Sequence, residues 1–374
     1  MHFSQFNLHP DIHLGIGDAG YIHPTPIQKQ TIPLILENKD VLGLAQTGTG
    51  KTAAFVLPIL QRLISRSSRR AAPRPRALIV APTRELAEQI FVNIQIMANH
   101  TPIKSVAVYG GVGKSPQVKT LRQGVDIIVA CPGRLLDLIN EKALTLEGIE
   151  VMVLDEADLM LDMGFLPDIK RILAQTPDTR QSLVFSATMP KEIQHLAQHI
   201  LNNPVSVRIN PKSAPPRIAH ARFNVQKNKR TALLKKLFDQ SGMSSTLVFT
   251  RTKHKARSLA AQLKKAGLSA ASLQGNLSQN QRRKAMNGFR KGSFNILVAT
   301  DIAARGIDVS GVSHVINYDL PDTVETYIHR TGRTGRADQS GQAYTFASAE
   351  DGKMIALIER TLGKKMLDKS LSRS

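Results

Sequence analysis

The sequence has 374 residues, too many for one ordinary core, which predicts about two domains. Its 50 Lys and Arg against 29 Asp and Glu give a formal net charge of +21, so we expect a polyanionic partner, nucleic acid first of all. A single cysteine, Cys131, excludes an internal disulfide and a cysteine-based zinc cluster. No apolar run approaches the roughly 18 residues of a membrane-spanning helix and no segment resembles a signal peptide, so a cytoplasmic protein without membrane contact is expected.

The first predicted helix begins near a rigid turn. Pro24 and Pro26 stiffen the chain there, so Gln28 is presented from a fixed backbone at the start of the helix. An amide that offers both a donor and an acceptor matches the N6/N7 edge of adenine. The alternative is an ordinary exposed helix residue.

A phosphate-binding loop follows, with a predicted strand at 40–44 before it and a predicted helix at 52–64 after it. It has the form A-x-x-x-x-G-K-T, with Ala45 where Gly is usual. Gly48 and Gly50 let the backbone N–H groups face an anion, Lys51 can reach the β- and γ-phosphates, and the Thr52 hydroxyl can hold Mg²⁺. The alternative is a Gly-rich turn that only starts a helix. The nucleotide-binding residues predicted here are Gln46, Thr47, Gly48, Thr49, Gly50, Lys51 and Thr52.

A basic segment comes next, rich in small residues and proline, and its composition predicts a loop. It is either a solvated basic loop or a contact to nucleic acid. Its arginines are Arg66, Arg69, Arg70, Arg74 and Arg76.

Three predicted strands, at 77–81, 104–109 and 126–130, end in loops that carry Arg84, Gly110-Gly111 and Arg134. Open α/β sheets bind ligands at the carboxyl ends of their strands, so a nucleic-acid backbone can lie along these loops. The alternative is that these are ordinary loops that connect a strand to a helix.

A fifth predicted strand, at 151–154, ends at Asp155 and Glu156. An acidic residue in this place holds Mg²⁺ in nucleotide hydrolases, usually through water, and the next carboxylate can orient or deprotonate the attacking water. The alternative is that both acids cap the next helix. A further strand, at 181–185, runs into Ser186-Ala187-Thr188, whose hydroxyls can bridge to nearby carboxylates.

A Pro-rich break at 210–217 is the predicted linker between domains at 1–209 and 218–362, with a short basic tail at 363–374. The second half repeats the alternation of strands and helices but contains no second phosphate loop. Its predicted helices include 253–266 and 278–290, and its predicted strands are 221–225, 246–250, 270–273, 296–299, 312–318 and 343–346.

Three arginines recur every three residues at Arg330, Arg333 and Arg336. On a continuous helix they would share one face, whereas Gly332 and Gly335 favour a helix that breaks into a loop. Three arginines directed at one place need a dense anion, such as the γ-phosphate bound by the other domain. The alternative is contact with a nucleic-acid backbone.

The ordered motifs of the chain resemble those of the DEAD-box family of ATP-dependent RNA helicases, most closely its bacterial RhlE-like branch. The resemblance extends from Phe3 to about Phe346. Its motifs are A-Q-T-G-T-G-K-T, P-T-R-E-L-A, C-P-G-R, D-E-A-D, S-A-T, V-F-T-R-T, A-T-D-I-A-A-R-G-I-D and H-R-T-G-R-T-G-R.

The resemblance implies an α/β fold of two tandem RecA-like domains, each a mostly parallel sheet flanked by helices, with ATP, Mg²⁺ and RNA as ligands. It assigns adenine to Gln28 with Phe3 stacked on the base, and the ribose to Asp308. Phosphates and Mg²⁺ would be bound by Lys51, Thr52 and Asp155. The water would be activated by Glu156, with the γ-phosphate contacted by Arg333 and Arg336.

The resemblance also assigns coupling between hydrolysis and domain closure, and an RNA path along the sugar-phosphate backbone. The coupling residues would be Asp158, Ser186 and Thr188. The RNA-binding residues would be Arg84, Gly111, Arg134, Arg251, Gly275 and Thr300.

The chain departs from the family pattern at three positions. Cys131 replaces the usual Thr before Pro-Gly-Arg, Gln274 stands where His is frequent, and Thr331 where Ile is common. None belongs to the phosphate site, so we expect an active ATPase that unwinds short RNA duplexes or remodels RNA–protein complexes. The rivals are an ATP-gated RNA clamp that unwinds little and a DNA helicase.

Overall fold

A computed structural model of the chain describes residues 2–46, 48–65, 74–209, 218–241, 243–304, 312–335 and 340–369. The chain divides into two compact units, residues 1–210 and 211–374, here called the N-terminal unit and the C-terminal unit. The predicted linker at 210–217 lies outside the described residues.

The N-terminal unit is built on a parallel sheet. In its described residues the sheet has seven strands in the order β3-β4-β2-β5-β6-β1-β7. Most of these strands are continuous apolar runs and are buried, as is usual for a parallel sheet covered on both faces. The strands are β1 (Val41–Leu44), β2 (Ala77–Val80), β3 (Ser105–Val108), β4 (Ile127–Ala130), β5 (Val151–Leu154), β6 (Gln181–Ser186) and β7 (Val205–Arg208).

Helices cover both faces of this sheet, and an apolar core lies on each face. On one face Phe55 of the third helix packs against Phe185, with ring centroids 5.3 Å apart. The helices are α1 (Pro10–Asp18), α2 (Pro26–Leu36), α3 (Lys51–Ser65), α4 (Arg84–Met97), α5 (Lys114–Arg122), α6 (Pro132–Asn140), α7 (Ala157–Asp162), α8 (Leu166–Leu173) and α9 (Lys191–Ile200).

The C-terminal unit repeats the architecture. Its described residues form a second parallel sheet of seven strands in the order β10-β11-β9-β12-β13-β8-β14. The strands are β8 (Ile218–Asn224), β9 (Thr246–Phe249), β10 (Ala270–Leu273), β11 (Ile296–Ala299), β12 (His314–Asn317), β13 (Gly341–Ala347) and β14 (Leu367–Asp368). The helices are α10 (Arg230–Ser241), α11 (Lys253–Lys265), α12 (Gln279–Arg290), α13 (Asp301–Ala304), α14 (Val324–Thr331) and α15 (Gly352–Leu362).

The predicted fold class, α/β with two mostly parallel sheets, is confirmed. One difference concerns the segment set apart as a tail, because its residues Leu367–Asp368 form β14 at the edge of the second sheet. Arg222 of β8 holds this short strand by two hydrogen bonds to the Asp368 carboxylate. In the described ranges no helix has both the length and the apolar character needed to span a membrane.

Candidate functional site

The phosphate loop joins β1 to α3, and its two glycines have left-handed backbones, with φ of +80° at Gly48 and +91° at Gly50. Two of its side chains bond to the loop itself. The buried Lys51 donates from Nζ to the Ala45 carbonyl at 3.1 Å, and Thr49 donates from Oγ1 to the Gln46 carbonyl at 2.7 Å. The Lys51 ammonium is therefore held over the loop backbone.

Gln28 is tied to the phosphate loop. It is only 2% exposed, so the alternative of an exposed helix residue is wrong. Its Oε1 accepts from the Thr25 N–H at 2.8 Å, and its Nε2 donates to the Gly50 carbonyl at 3.0 Å. A primary amide has two N–H groups and two acceptor lone pairs, so each end of Gln28 keeps capacity for a further partner. No pattern in the sequence predicts the bond to Gly50, which is 22 residues away.

Phe3 is buried in the apolar core of the N-terminal unit. Its ring stacks on Tyr21 at a centroid distance of 6.2 Å with 22° between the planes, and it meets Phe6 edge-on at 6.0 Å. Stacking of Phe3 on adenine stays a prediction.

Asp155 and Glu156 follow β5 and are buried. Burial raises the pKa of Asp155, and the positive charge of Lys51 acts in the opposite direction. Asp155 Oδ1 accepts a hydrogen bond from the Glu156 N–H at 3.0 Å. Glu156 has φ of +53° and ψ of 53°, a left-handed backbone that costs a non-glycine residue about 1–3 kcal/mol and that concentrates at functional sites.

Asp158 joins the ends of β5 and β6. Its Oδ2 accepts from the Thr188 N–H at 2.8 Å, from the Thr188 hydroxyl at 2.9 Å and from the Ala187 N–H at 3.2 Å. Its own N–H donates to Ser186 Oγ at 3.3 Å, and that hydroxyl donates to the Thr188 carbonyl at 2.7 Å. The predicted bridge between hydroxyl and carboxylate is therefore present.

Strand order brings these groups together, because β5, β6 and β1 are neighbours in the sheet and run parallel. The phosphate loop after β1, the acids after β5 and Ser186–Thr188 after β6 therefore lie at one edge. This arrangement suits the binding and hydrolysis of a nucleoside triphosphate. Thr47 lies outside the described residues.

Three predicted RNA-binding residues meet after β2, β3 and β4. Gly111 has φ of +77°, and a Cβ added to it would lie 1.7 Å from an Arg84 guanidinium nitrogen. Arg134 donates to the carbonyl of Val112 at 3.3 and 3.4 Å. The Arg84 side chain therefore packs directly on the Gly111 backbone, and Arg134 supports the same loop.

Cys131, which departs from the family pattern in this region, is buried. Burial raises the pKa of its thiol to about 12, with a smaller contribution in the same direction from Glu85. The group is therefore a neutral thiol at physiological pH. Such a group is a weak hydrogen-bond donor compared with the hydroxyl of threonine.

Only part of the basic loop is described. Arg66, Arg69 and Arg70 lie outside the described residues. Arg74 forms an ion pair with Glu147 at 3.2 Å, and Arg76 forms one with Glu150 at 2.6 Å. Arg76, whose side chain is 13% exposed, is therefore used within the protein. Arg74 is 55% exposed and pairs at the surface, where an ion pair contributes little to stability, so both alternatives stay open for it.

In the C-terminal unit, Asp319 is a functional candidate that sequence reasoning missed. Its carboxylate accepts from the Arg251 N–H at 3.0 Å and forms ion pairs with Lys255 at 2.7 Å and with Arg230 at 3.1 Å. The Arg251 side chain itself is 61% exposed and lies 3.1 Å from Asp322. Asp319 therefore fixes the backbone from which Arg251 projects.

The other two predicted RNA-binding residues of this unit differ in exposure. Gly275 is exposed with open space around it, whereas Thr300 is buried at the start of α13. Gln274, in place of the frequent His, accepts from the Asn276 N–H at 2.7 Å and so stabilises the turn that carries Gly275.

Arg330 and Arg333 of the arginine repeat have different surroundings in the structure. Arg330 is 2% exposed, bonds bidentately to the Asp301 carboxylate at 2.6 and 2.7 Å, and donates to Asn317 Oδ1 at 3.0 Å. The prediction that three arginines point at one anion is therefore wrong for Arg330, because the partly buried carboxylate of Asp301, 29 residues away in the chain, holds it. The predicted helix break is confirmed, since α14 ends at Thr331 and Arg333 follows in a turn.

Thr331 satisfies its own hydroxyl inside the helix by donating to the Tyr327 carbonyl at 3.0 Å. This bond explains how a threonine is accommodated where an apolar residue is common. Asp308 and Arg336 lie outside the described residues.

Comparison with known proteins agrees with this geometry. The DEAD/DEAH box helicase family matches residues 25–196, and the helicase conserved C-terminal domain matches residues 228–338. The DEAD-box ATP-dependent RNA helicase CshA of Bacillus subtilis (strain 168) is 42% identical over 97% of this chain and 73% of the relative. The chain belongs to the DEAD-box RNA helicase family.

Other DEAD-box relatives agree. CshA of Streptococcus pneumoniae serotype 4 is 43% identical over 98% of this chain and 69% of the relative. The structure of S. cerevisiae Dbp5 bound to RNA and ADP BeF3 has a TM-score of 0.86 and 31% identity, covering 98% of this chain and 95% of that chain. Mss116p bound to ssRNA and AMP-PNP has a TM-score of 0.86 and 29% identity, covering 99% of this chain and 79% of that chain. The RhlE-like branch stays a prediction.

Proposed function

We propose that this DEAD-box protein is an ATP-dependent RNA helicase, in which RNA stimulates ATP hydrolysis and hydrolysis is coupled to unwinding of short duplexes or to remodelling of RNA–protein complexes. The observation that carries the proposal is the clustering of the phosphate loop, Asp155-Glu156 and Ser186–Thr188 at one edge of a parallel sheet. CshA relatives named as ATP-dependent RNA helicases support it. A cytoplasmic location is part of the proposal.

ATP is bound by the N-terminal unit. Gln28 reads adenine with its remaining hydrogen-bonding capacity, Phe3 provides an aromatic face for the base, and Lys51 leaves the Ala45 carbonyl to bind phosphate. The other nucleotide-binding residues are Gln46, Thr47, Gly48, Thr49, Gly50 and Thr52.

Thr52 and Asp155 offer hydroxyl and carboxylate oxygens, the ligands that Mg²⁺ prefers. The Asp155 carboxylate is buried, so a bound cation would stabilise its charged form. These residues fit the metal and would hold it together with phosphate oxygens. Bound Mg²⁺ would neutralise charge that develops on the phosphates.

Glu156 orients or deprotonates the attacking water, because its buried carboxylate follows Asp155 directly. Arg333 and Arg336 stabilise the γ-phosphate charge and Asp308 binds the ribose. These last three roles rest on the family motifs.

RNA binds along its sugar-phosphate backbone at two sets of strand ends, one in each unit. Asp158, Ser186 and Thr188 couple hydrolysis to domain closure, a role that rests on the family motifs and is supported by the hydrogen bonds that join the segment after β6 to the acidic segment after β5. The RNA contacts are Arg84, Gly111, Arg134, Arg251, Gly275 and Thr300.

A strand-separation assay tests this function. A short RNA duplex with a single-stranded overhang is incubated with protein and either ATP or a non-hydrolysable analogue, and RNA retention is measured on the same samples. We expect separation with ATP and retention with the analogue. Retention without separation would instead favour an RNA clamp, and equal activity on a DNA duplex would favour a DNA helicase.

A further inference from the structure

Charge is divided unevenly between the two units. Residues 211–374 carry 29 Lys and Arg against 11 Asp and Glu, a net charge of +18, whereas residues 1–210 carry 21 against 18, a net charge of +3. Residues 240–300 contain 11 Lys and Arg but neither Asp nor Glu. Ordinary soluble surfaces mix both signs of charge, so this segment indicates a polyanionic ligand.

The helix α11 carries part of this charge on its solvent side. Its other side, formed by Ala256, Leu259, Ala260 and Leu263, is buried in the core against the sheet. The helix is thereby fixed on the C-terminal unit, and a rigid row of side chains faces the solvent.

Three exposed cations, Lys253, Arg257 and Lys264, form a stripe along α11. A helix turns once in about 3.6 residues and rises about 1.5 Å per residue, so they fall within about 40° of one another around the axis and span about 16 Å. In the described part of the chain no carboxylate forms an ion pair with any of them. Lys255 differs, because its ammonium lies 2.7 Å from Asp319 and is used within the protein.

The stripe continues from a predicted RNA contact. Arg251 follows β9, Thr252 caps α11 by accepting from the Lys255 N–H at 3.2 Å, and Lys253 is the first helical residue. The positive end of the helix dipole therefore lies beside Arg251 and Lys253, where it favours a phosphate.

We propose that the stripe of Lys253, Arg257 and Lys264 on α11 binds the phosphate backbone of an RNA segment next to the one held at the strand ends. This inference rests on the proposed function, since it takes RNA as the ligand. The stripe is an anchor that increases affinity and retention. Because its contacts are to phosphates, it confers no sequence preference and takes no part in hydrolysis.

The test compares two triple variants of the full chain that remove the same charge. The first is Lys253→Gln, Arg257→Gln, Lys264→Gln. The matched control is Lys353→Gln, Arg360→Gln, Lys365→Gln, three exposed cations on or just after α15. Fluorescence anisotropy measures binding over a range of salt, with single-stranded RNA of about 6 and about 30 nucleotides, since single-strand sites of this kind span roughly 4–16 nucleotides.

Affinity falls with salt, and each phosphate contact to a single strand makes the slope of log K against log salt steeper by about 0.7. Because three contacts are removed, the slope measured with the long RNA should be shallower by about 2 in the α11 variant than in the wild type. We expect its affinity for long RNA at low salt to fall about tenfold and that for short RNA to change less than about twofold. The RNA concentration for half-maximal ATPase stimulation should rise by the same factor, while kcat at saturating RNA is unchanged. The control variant should bind both RNAs like the wild type.

If both variants lost the same RNA affinity, the loss would come from the change in net charge and not from the position of the stripe, which would overturn the inference. So would wild-type affinity for long RNA in the α11 variant. In both cases RNA-stimulated hydrolysis by the wild type would leave the proposed function intact. A wild-type protein that binds no RNA would overturn the proposed function and this inference together.

Discussion

Arg330 and Arg333 are three residues apart in one motif but have different surroundings. Arg330 is enclosed by Asp301, Asn317 and the ring of Phe249, whose centroid lies 4.9 Å from the guanidinium carbon. Arg333 lies beyond the end of α14 and is only partly buried. The first therefore belongs to the framework of the C-terminal unit, and the second is the candidate for contact with the γ-phosphate.

Substitutions at the two positions should separate these roles. Arg330→Ala leaves the partly exposed Asp301 carboxylate without its ion pair. Breaking a fully buried pair costs about 3–5 kcal/mol, and the solvent access of Asp301 makes the loss smaller than that, but the unfolding midpoint should still fall. Arg333→Ala should unfold like the wild type and bind nucleotide, but lose RNA-stimulated hydrolysis. Denaturant unfolding and steady-state ATPase assays check both. Normal turnover in Arg333→Ala would remove its assignment, and normal stability in Arg330→Ala would contradict the structural role.

The single-residue roles were only partly predictable. The spacing of the arginine repeat is visible in the sequence, but the partner that buries Arg330 is Asp301, which meets it only when α13 and α14 are folded. Asp319 escaped prediction for the same reason, because its partners Arg230 and Lys255 are 89 and 64 residues away in the chain. By contrast, Asp158 and Thr188 follow strands whose buried apolar runs are plain in the sequence.

At the scale of elements, the contact between α2 and the phosphate loop leaves no room for a side chain at Gly50. Gly50→Ala should lower ATP affinity sharply, because φ is +91° and the new Cβ would lie 2.5 Å from Gln28 Nε2. The matched control is Gly17→Ala in α1, where a Cβ meets nothing within 4 Å and alanine favours the helix. Binding of a fluorescent ATP analogue measures the effect. Equal affinity in both variants would mean that the loop adapts.

The packing of β8 against α14 should depend on pH. Burial lowers the pKa of His220 to about 4, and its Nδ1 lies 2.8 Å from the Tyr327 hydroxyl. The unfolded chain takes up this proton near pH 6.5, so the contribution of His220 is present above that pH and is lost as pH falls towards about 4.

Urea unfolding at pH 7 and pH 5 therefore tests His220→Gln against the exposed-residue control His195→Gln. We expect the loss of stability on acidification to be smaller in His220→Gln than in the wild type, and unchanged in the control. An identical pH dependence in all three proteins would contradict the assignment.

The elements themselves were largely predictable, since buried parallel strands are short apolar runs and the helix α9 is amphipathic along its length. The two-residue β14 was not, because it is defined only by pairing with β8. Strand order was not predictable either, because neighbours in a parallel sheet are set by crossover connections and packing.

At the scale of the molecule, length and the Pro-rich break predicted two domains, and the net charge predicted a polyanionic partner. The uneven division of that charge is consistent with a C-terminal unit that contributes most of the electrostatic attraction for RNA. The residues proposed to bind the phosphates and Mg²⁺ lie instead in the N-terminal unit, where the phosphate loop and the buried acids are at one sheet edge.

Steady-state ATP hydrolysis by the wild type and by Glu156→Gln, without nucleic acid, with single-stranded RNA and with DNA of the same sequence, tests the central claim most directly. The substitution preserves side-chain shape and removes the carboxylate. We expect RNA to stimulate the wild type strongly, DNA to stimulate it little, and Glu156→Gln to lose the stimulated rate. Hydrolysis that is indifferent to RNA, equally stimulated by DNA, or retained in Glu156→Gln would contradict an RNA-dependent ATPase that uses Glu156.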